Sequence, residues 1–185
     1  MNNLPAPATA PAIKVCDNKS VGVFIFYFEN TLLAQDGRLL LIERATFPWG
    51  WTIPAGHLDG EVSYAKQACV ELEEEVGLTF SHNDLSPFFL GRLHNKCRRE
   101  QGDFHDWEVY TTVTSRLDVV RCNPREVKNF CWVGKAQLQE LRLRAEQRLA
   151  GKISDEEWQS DPGLEPLTLE WLKLRGLQTF LQSLR

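Results

Sequence analysis

The sequence has no CxxC pair, no Asp-x-Asp loop with a central glycine, no long apolar run and no surplus of positive charge. Each absence removes a class of function. Five cysteines (Cys16, Cys69, Cys97, Cys122 and Cys131) are scattered, and their odd number fits reduced thiols in a cytoplasmic protein rather than a disulfide framework. Without the Asp-x-Asp loop, a calcium-binding protein of the helix–loop–helix type is poorly supported. No apolar run approaches the roughly 20 residues of a membrane span. The opening MNNLPAPATAPA has neither a basic nor an apolar region of the signal-peptide kind, so residues 1–19 read as a flexible lead. The net charge of -4, from 21 Lys and Arg against 25 Asp and Glu, leaves no nucleic-acid footprint. A polyanionic substrate would have to be met by local positive charge.

What is present is the composition of an ordinary globular domain, 43% hydrophobic and 25% charged in 185 residues. SVGVFIFYF (Ser20–Phe28) and RLLLIER (Arg38–Arg44) are β-branched or apolar runs that predict strands. SPFFLGRLHNK and DWEVYTTVTSR predict two more, joined by the basic link CRREQGDFH, and NFCWV a short one. GKAQLQELRLRAEQRLAG predicts an amphipathic helix with Leu138, Leu141, Ala145 and Leu149 on one face. KISDEEWQSDPGLEP reads as a connector, and LTLEWLKLRGLQTFLQSLR as a terminal helix weakened at Gly176. The mixed order of elements predicts an α+β layered domain over residues 20–150. Residues 151–185 form a helical extension, packed on that domain or at a dimer contact; Trp158, Trp171, Leu174 and Phe180 make it too apolar to be wholly disordered.

The densest chemistry lies in GHLDGEVSYAKQACVELEEEVGL, Gly56–Leu78. Ser63 suits an N-cap and Gly77 the residue after the helix. Between them Ala65, Cys69, Leu72 and Val76 form an apolar stripe. At about 100° per residue, with Glu71 at zero, Glu74 falls near about -60° and Glu75 near about +40°, while Glu73 lies near about 200° and the stripe at about 100–160°. Three carboxylates thus share an arc beside the apolar stripe. Like charges at such spacing repel. A hard cation, Mg²⁺ or Mn²⁺, would offset that repulsion; a solvated acidic face is the alternative.

This segment resembles the Nudix box, whose pattern is G-x5-E-x7-R-E-U-x-E-E-x-G-U with U aliphatic. Gly56, Glu71, Leu72, Glu74, Glu75, Gly77 and Leu78 match at full spacing. Val62 and Val70 stand where the pattern has Glu and Arg, and Glu61 is one place early. RLLLIER with WGWTIPAGHLD before the box, and REVKNFCWV with a helix after it, are similar to the family too, so the resemblance runs from about Val21 to Leu149. It implies the Nudix fold, an α/β/α sandwich with a mixed central sheet.

The resemblance further implies hydrolysis of a pyrophosphate bond in a nucleoside diphosphate linked to another moiety, with Mg²⁺ or Mn²⁺ as cofactor. Glu71, Glu74, Glu75 and the Ala55 carbonyl would be metal ligands, with Glu71 and Glu75 as the catalytic pair and Glu71 able to take the proton from water. In the family the box Arg orients the catalytic Glu; with apolar residues at both departing positions, Glu71 would need other contacts. A further acid from a later loop is expected, with Glu126 and Glu108 as candidates. Substrate contacts would come from Arg44, Gly56 and Trp51, with Trp49 as an alternative ring. Arg98 and Arg99 read as a solvated run, His57 as structural and Cys69 as core. The partner is a small nucleotide-type molecule, with no nucleic acid and no membrane, and a homodimer is possible. The alternative is a domain that has lost hydrolysis and serves as a nucleotide sensor or regulatory module.

Overall fold

The computed structural model describes residues 14–28, 37–117 and 119–174. Among these residues seven strands and four α-helices occur in the order β1 (Lys19–Tyr27), β2 (Arg38–Arg44), β3 (Trp51–Thr52), β4 (Ala55–His57), α1 (Tyr64–Val76), β5 (Ser86–Leu93), β6 (His105–Thr114), β7 (Val127–Val133), α2 (Lys135–Leu149), α3 (Asp155–Ser160) and α4 (Pro166–Leu172). One mixed sheet runs β3-β2-β1-β6-β5, with β4 added to β1 and β7 to β2.

β1 is the hub. It runs parallel to β6 along its whole length. Its other edge is shared, pairing with β2 only at Phe26 and Tyr27 and with β4 at Ser20–Gly22. β1 and β2 therefore diverge, and the segment from Ile53 to His57 fills the gap. Gly22 permits this: a Cβ there would meet Ile53 Cδ1 at 3.0 Å.

The alternation of β1 and β2 splits the core into two layers. Val21, Val23, Ile25, Leu40 and Ile42 face α1, meeting Ala68, Leu72 and Val76. Phe24, Phe26, Leu39 and Leu41 face the opposite layer, built from Leu138 and Ala145 of α2 and from Trp158, Leu164, Leu169 and Trp171. Helices thus cover both faces of the sheet, which is the expected α/β/α sandwich.

Two details depart from the sequence reading. Leu149 is exposed because α2 ends there in a turn through Gly151 (φ 70°), and Ile153 takes the core position instead, its carbonyl accepting from Arg148. The supposed connector contains α3, started by a capping box in which Ser154 Oγ accepts from Glu157 N and Glu157 Oε2 from Ser154 N. Six residues are too few to show a helical period. The terminal helix begins as expected with α4, while Gly176, Phe180 and the rest of residues 175–185 lie outside the described residues.

α3 and α4 are joined tightly to the Trp-rich loop. Trp51 N donates to Gly163 O, Glu165 N to Trp51 O, and Trp158 Nε1 to Trp49 O. Thr52 and Thr168 hydroxyls bond at 2.7 Å. Trp171, 1% exposed, meets Trp107 edge-on at 4.8 Å and Phe24 at 6.2 Å. Truncating a fully buried tryptophan costs about 3–5 kcal/mol. Trp171→Ala should lower unfolding stability by that amount in urea titration; a loss under about 1 kcal/mol would contradict the packing of α4 as part of the domain.

Candidate active site

α1 starts and stops where expected. Ser63 accepts from Lys66 N, and Gly77 adopts φ 67°, with its N–H returned to Glu73 and Leu72 carbonyls. The buried set is Ala68, Glu71, Leu72, Glu75 and Val76, with Ala65 and Cys69 only half-buried at the margin. On the helical wheel this arc runs from about 0° to about 140°. The packed face is therefore rotated toward the acids. Glu71 and Glu75 lie inside it rather than beside it, while Glu74 remains exposed and Glu73 points to solvent away from the cleft.

The turn carrying β4 forces this rotation. Ala55 N donates to Glu75 Oε2 at 2.8 Å. Gly56 lies flat against Glu71, so that a Cβ built on it would fall 2.1 Å from the carboxyl carbon. Gly56 is thus required for the close approach of backbone to carboxylate. Glu71 is also held from its own helix, by Gln67 Nε2 at 2.8 Å.

Burial pushes Glu75 up to about 8, the Glu71 charge adds to this, and Arg44 opposes it. Burial likewise pushes Glu71 up to about 7; the Gln67 hydrogen bond opposes the rise, and the charges of Glu74, Glu126 and Asp59 add to it.

A cleft of about 660 Å³ opens over these acids. Ala55, Gly56, Glu71, Glu74, Glu75 and Glu126 line it together with Arg44, Arg98 and Arg99. Glu126 is delivered by a loop laid along the end of α1. Arg121 N and Asn123 N donate to the Val76 and Glu75 carbonyls, and Ala45 N to Glu126 O. Phe47, 42% exposed, and Pro48 form an apolar lip. Arg44 lines the cleft beside the buried acids Glu75 and Glu165, and its Nε is buried without a hydrogen-bond partner among the described residues.

Not every sequence candidate arrives here. Glu108 sits on β6 opposite Leu90 and accepts from the Tyr110 hydroxyl, away from the cleft; a strand register, invisible in the sequence, decides this. Trp51 packs against the core, its backbone held between Gly163 and Glu165, and Trp49 stands behind the lip, its ring edge-on to Phe47 at 5.7 Å and its carbonyl accepting from Trp158 Nε1. Arg98 and Arg99, read as a solvated run, both reach the cleft, and Arg99 forms a two-pronged ion pair with Asp59.

The two departures from the box pattern also look different in space. Val62 is 91% exposed and Val70 41% exposed, so neither replaces a member of a buried ion pair. Glu61 does not substitute for the missing acid, since its carboxylate accepts from Val62 N and Ser63 N. Gln67 was not singled out in the sequence. Its signal was the i, i+4 spacing to Glu71. Asp59 and Phe47 carried no comparable signal.

The family model for the NUDIX domain matches residues 19–152. The chain belongs to the Nudix family. No curated protein matches it in sequence. Similar solved structures include an Ap4A hydrolase binary complex from C. elegans (20% identity, TM-score 0.55, covering 89% of this chain and 97% of that one). Another is the NUDIX domain of Shewanella oneidensis NrtR complexed with ADP ribose (20% identity, TM-score 0.51, 80% and 94% covered). A third is the E. coli dihydroneopterin triphosphate pyrophosphohydrolase (16% identity, TM-score 0.53, 66% and 84% covered). At these identities the likeness is one of fold. No helix among the described residues is long and apolar enough to cross a membrane.

Within this Nudix site, Glu71 and Glu75 give a signed pH dependence. Both are raised from 4.5, to about 7 and about 8, so the folded state holds protons that the unfolded chain has already released. Their contribution to stability therefore falls as pH rises from about 4.5 to about 8 and is constant above that. In metal-free protein, Glu75→Gln should flatten this decline in a pH series of thermal or urea unfolding. An unchanged slope would contradict the burial of Glu75.

Proposed function

We propose that this Nudix domain hydrolyses a pyrophosphate bond in a nucleoside diphosphate linked to another moiety, using Mg²⁺ or Mn²⁺. The observation that carries this reading is the pair of buried carboxylates, Glu71 and Glu75, at the floor of a cleft that also presents Arg44.

The residues fit a hard divalent ion. Two acids are packed together, with Arg44 opposing the rise of Glu75, and a third, Glu74, stands at the rim. Oxygen donors of this kind suit Mg²⁺ or Mn²⁺. Glu71, Glu74, Glu75 and the Ala55 carbonyl would hold it. Such an ion neutralises phosphate charge and lowers the pKa of bound water.

The chain supplies the rest. Arg44 and Arg98 meet phosphate oxygens, supplying the local positive charge that the net charge of -4 does not. Phe47 offers a ring face at the lip for a base. Glu71, oriented by Gln67 at the floor of the cleft, is placed to accept the proton from the attacking water. Glu126 reaches the same cleft and is the second acid available to that step.

A nucleotide sensor without hydrolysis is the second reading. It is favoured by Val70, which stands where the family pattern has Arg and cannot orient Glu71. Gln67 supplies that orientation here, which supports catalysis. A panel of ADP-ribose, Ap4A and dihydroneopterin triphosphate with Mg²⁺ separates the two. Hydrolysis of at least one compound is expected, and Glu75→Gln should reduce its turnover at least about 100-fold. Ligand-induced thermal stabilisation with no product from any compound would favour the sensor.

Gly56→Ala gives a finer test. The Cβ should displace the Glu71 carboxylate while the fold persists, weakening Mn²⁺ binding about 10-fold or more in a titration followed by the ion's magnetic resonance signal. Unaltered affinity would remove Glu71 from the ligand set.

A further inference from the structure

A second cluster lies beside the cleft and takes no part in the proposed reaction. Cys16 precedes β1, His57 ends β4, Cys97 lies in the link between β5 and β6, and His105 opens β6. The two Sγ atoms and one nitrogen from each imidazole all lie within 4.8 Å of one another. Cys16 and His105 are buried, and His57 and Cys97 are half-buried.

The geometry points to a structural zinc site of the Cys₂His₂ type. Tetrahedral zinc, with bonds of about 2.3 Å to sulfur and about 2.0–2.1 Å to nitrogen, sets edges of about 3.8 Å for S–S, about 3.3 Å for N–N and about 3.5 Å for S–N. In this chain Cys16 Sγ and Cys97 Sγ are 3.8 Å apart, His57 Nε2 and His105 Nε2 3.2 Å, and Cys16 Sγ and His105 Nε2 3.2 Å. Three of the six edges are thus close to those of one such tetrahedron, and the other three lie within 4.8 Å.

Burial holds the metal-free Cys16 thiol up at about 11, and backbone donors oppose that rise while a fixed imidazole stands beside it. Each sulfur accepts a backbone N–H from two residues on: Asn18 N to Cys16 at 3.3 Å and Arg99 N to Cys97 at 3.4 Å. Such donors stabilise negative sulfur. Asn18 (φ 56°) and Gln101 (φ 62°) shape the two turns. Gly102 leaves no space beside Cys97, since a Cβ there would lie 2.2 Å from Sγ. On the far side of His105, Nδ1 meets Asn95 Oδ1 at 3.1 Å, and Trp107 Nε1 fixes the same oxygen at 3.1 Å. With Nδ1 donating to Asn95, the Nε2 lone pair faces the cluster. This is the second-shell arrangement that orients a ligating histidine.

Mixed thiolate and imidazole donors select zinc over magnesium. All four corners are filled by the chain, so the ion has no open position and its role is to hold segments together. It would tie the strand-entry segment at Cys16 and the link at Cys97 to the turn that carries Gly56. A parallel bridge between Val15 and Glu100 already aligns the first two. The neighbours of Cys97, Arg98 and Arg99, would thereby be held on the cleft wall.

The test uses the full-length, untagged protein. Metal analysis after gel filtration should find one zinc per chain. Protein stripped under reducing, oxygen-free conditions and titrated with Co²⁺ should develop the visible bands of tetrahedral cobalt and thiolate-to-metal charge transfer. Both should saturate at one equivalent and disappear on adding zinc. Cys97→Ser should weaken zinc retention at least about 10-fold. The double variant Glu71→Gln/Glu75→Gln should keep the zinc and the cobalt spectrum, which separates this site from the hydrolytic one. A cobalt spectrum without thiolate bands overturns the proposal for the wild-type chain, whatever the variants do. So does loss of the metal in the Glu71/Glu75 variant, or a Cys16–Cys97 disulfide formed in the presence of zinc.

Discussion

Two carboxylates inside a packed helix face are the constraint around which this domain is arranged. A buried ionised acid without compensation is expensive, and it answers by taking a proton or a partner. Glu71 and Glu75 have partial partners: one backbone N–H, one side-chain amide and the field of Arg44. Everything nearby follows from accommodating them. β1 parts from β2 and pairs with β4, which brings Ala55 N over Glu75, Gly56 gives up its Cβ to admit Glu71, and the 121–126 loop covers the carbonyls at the end of α1. Under the proposed function, what would be a defect in an inert core suits a hard cation once a cleft opens above it.

The rest of the sheet serves to make that opening rigid. Because β1 gives part of one edge to β2 and part to β4, the sheet splits where the cleft forms. Such a split would weaken the sheet, since fewer ladder bonds cross it. The layer containing Trp158 and Trp171 offsets this on the opposite face, where Gly163, Glu165 and α4 brace β3 through Trp51 and Thr52. The C-terminal segment and the acidic site are thus mechanically related, although no residue of α4 lines the cleft.

The sequence revealed what depends on local period. The strands at Arg38–Arg44 and the helix from Ser63 to Gly77 were legible because alternation, caps and the 3.6 repeat are short-range signals. The tilt of the buried arc toward Glu71 and Glu75 was not. The apolar residues alone centred it on Cys69 and Leu72, whereas the β4 turn draws in Glu75 through Ala55 N and Glu71 through its contact with Gly56. Glu126 and Glu108 looked equivalent as acids in polar contexts. A loop held by Ala45 carries one into the cleft, and a strand register turns the other away. Trp51 looked available for stacking because its backbone partners lie more than a hundred residues later.

The Cys–His cluster is the extreme case of this limit. Its four members come from segments separated by β1 and by β5, at spacings of 41, 40 and 8 residues, and no paired motif announces them. Only the parallel pairing of β1 with β6, reinforced at Val15 and Glu100, brings Cys16 alongside Cys97 and His105, and only β4 carries His57 to them. β4 also carries Ala55 and Gly56 to the carboxylates. A three-residue strand therefore joins a soft donor set at one end to a hard one at the other. Soft and hard sites compete little for the same ion. Zinc held at His57 would fix the backbone against which Glu71 is packed while leaving the oxygen-rich cleft to magnesium.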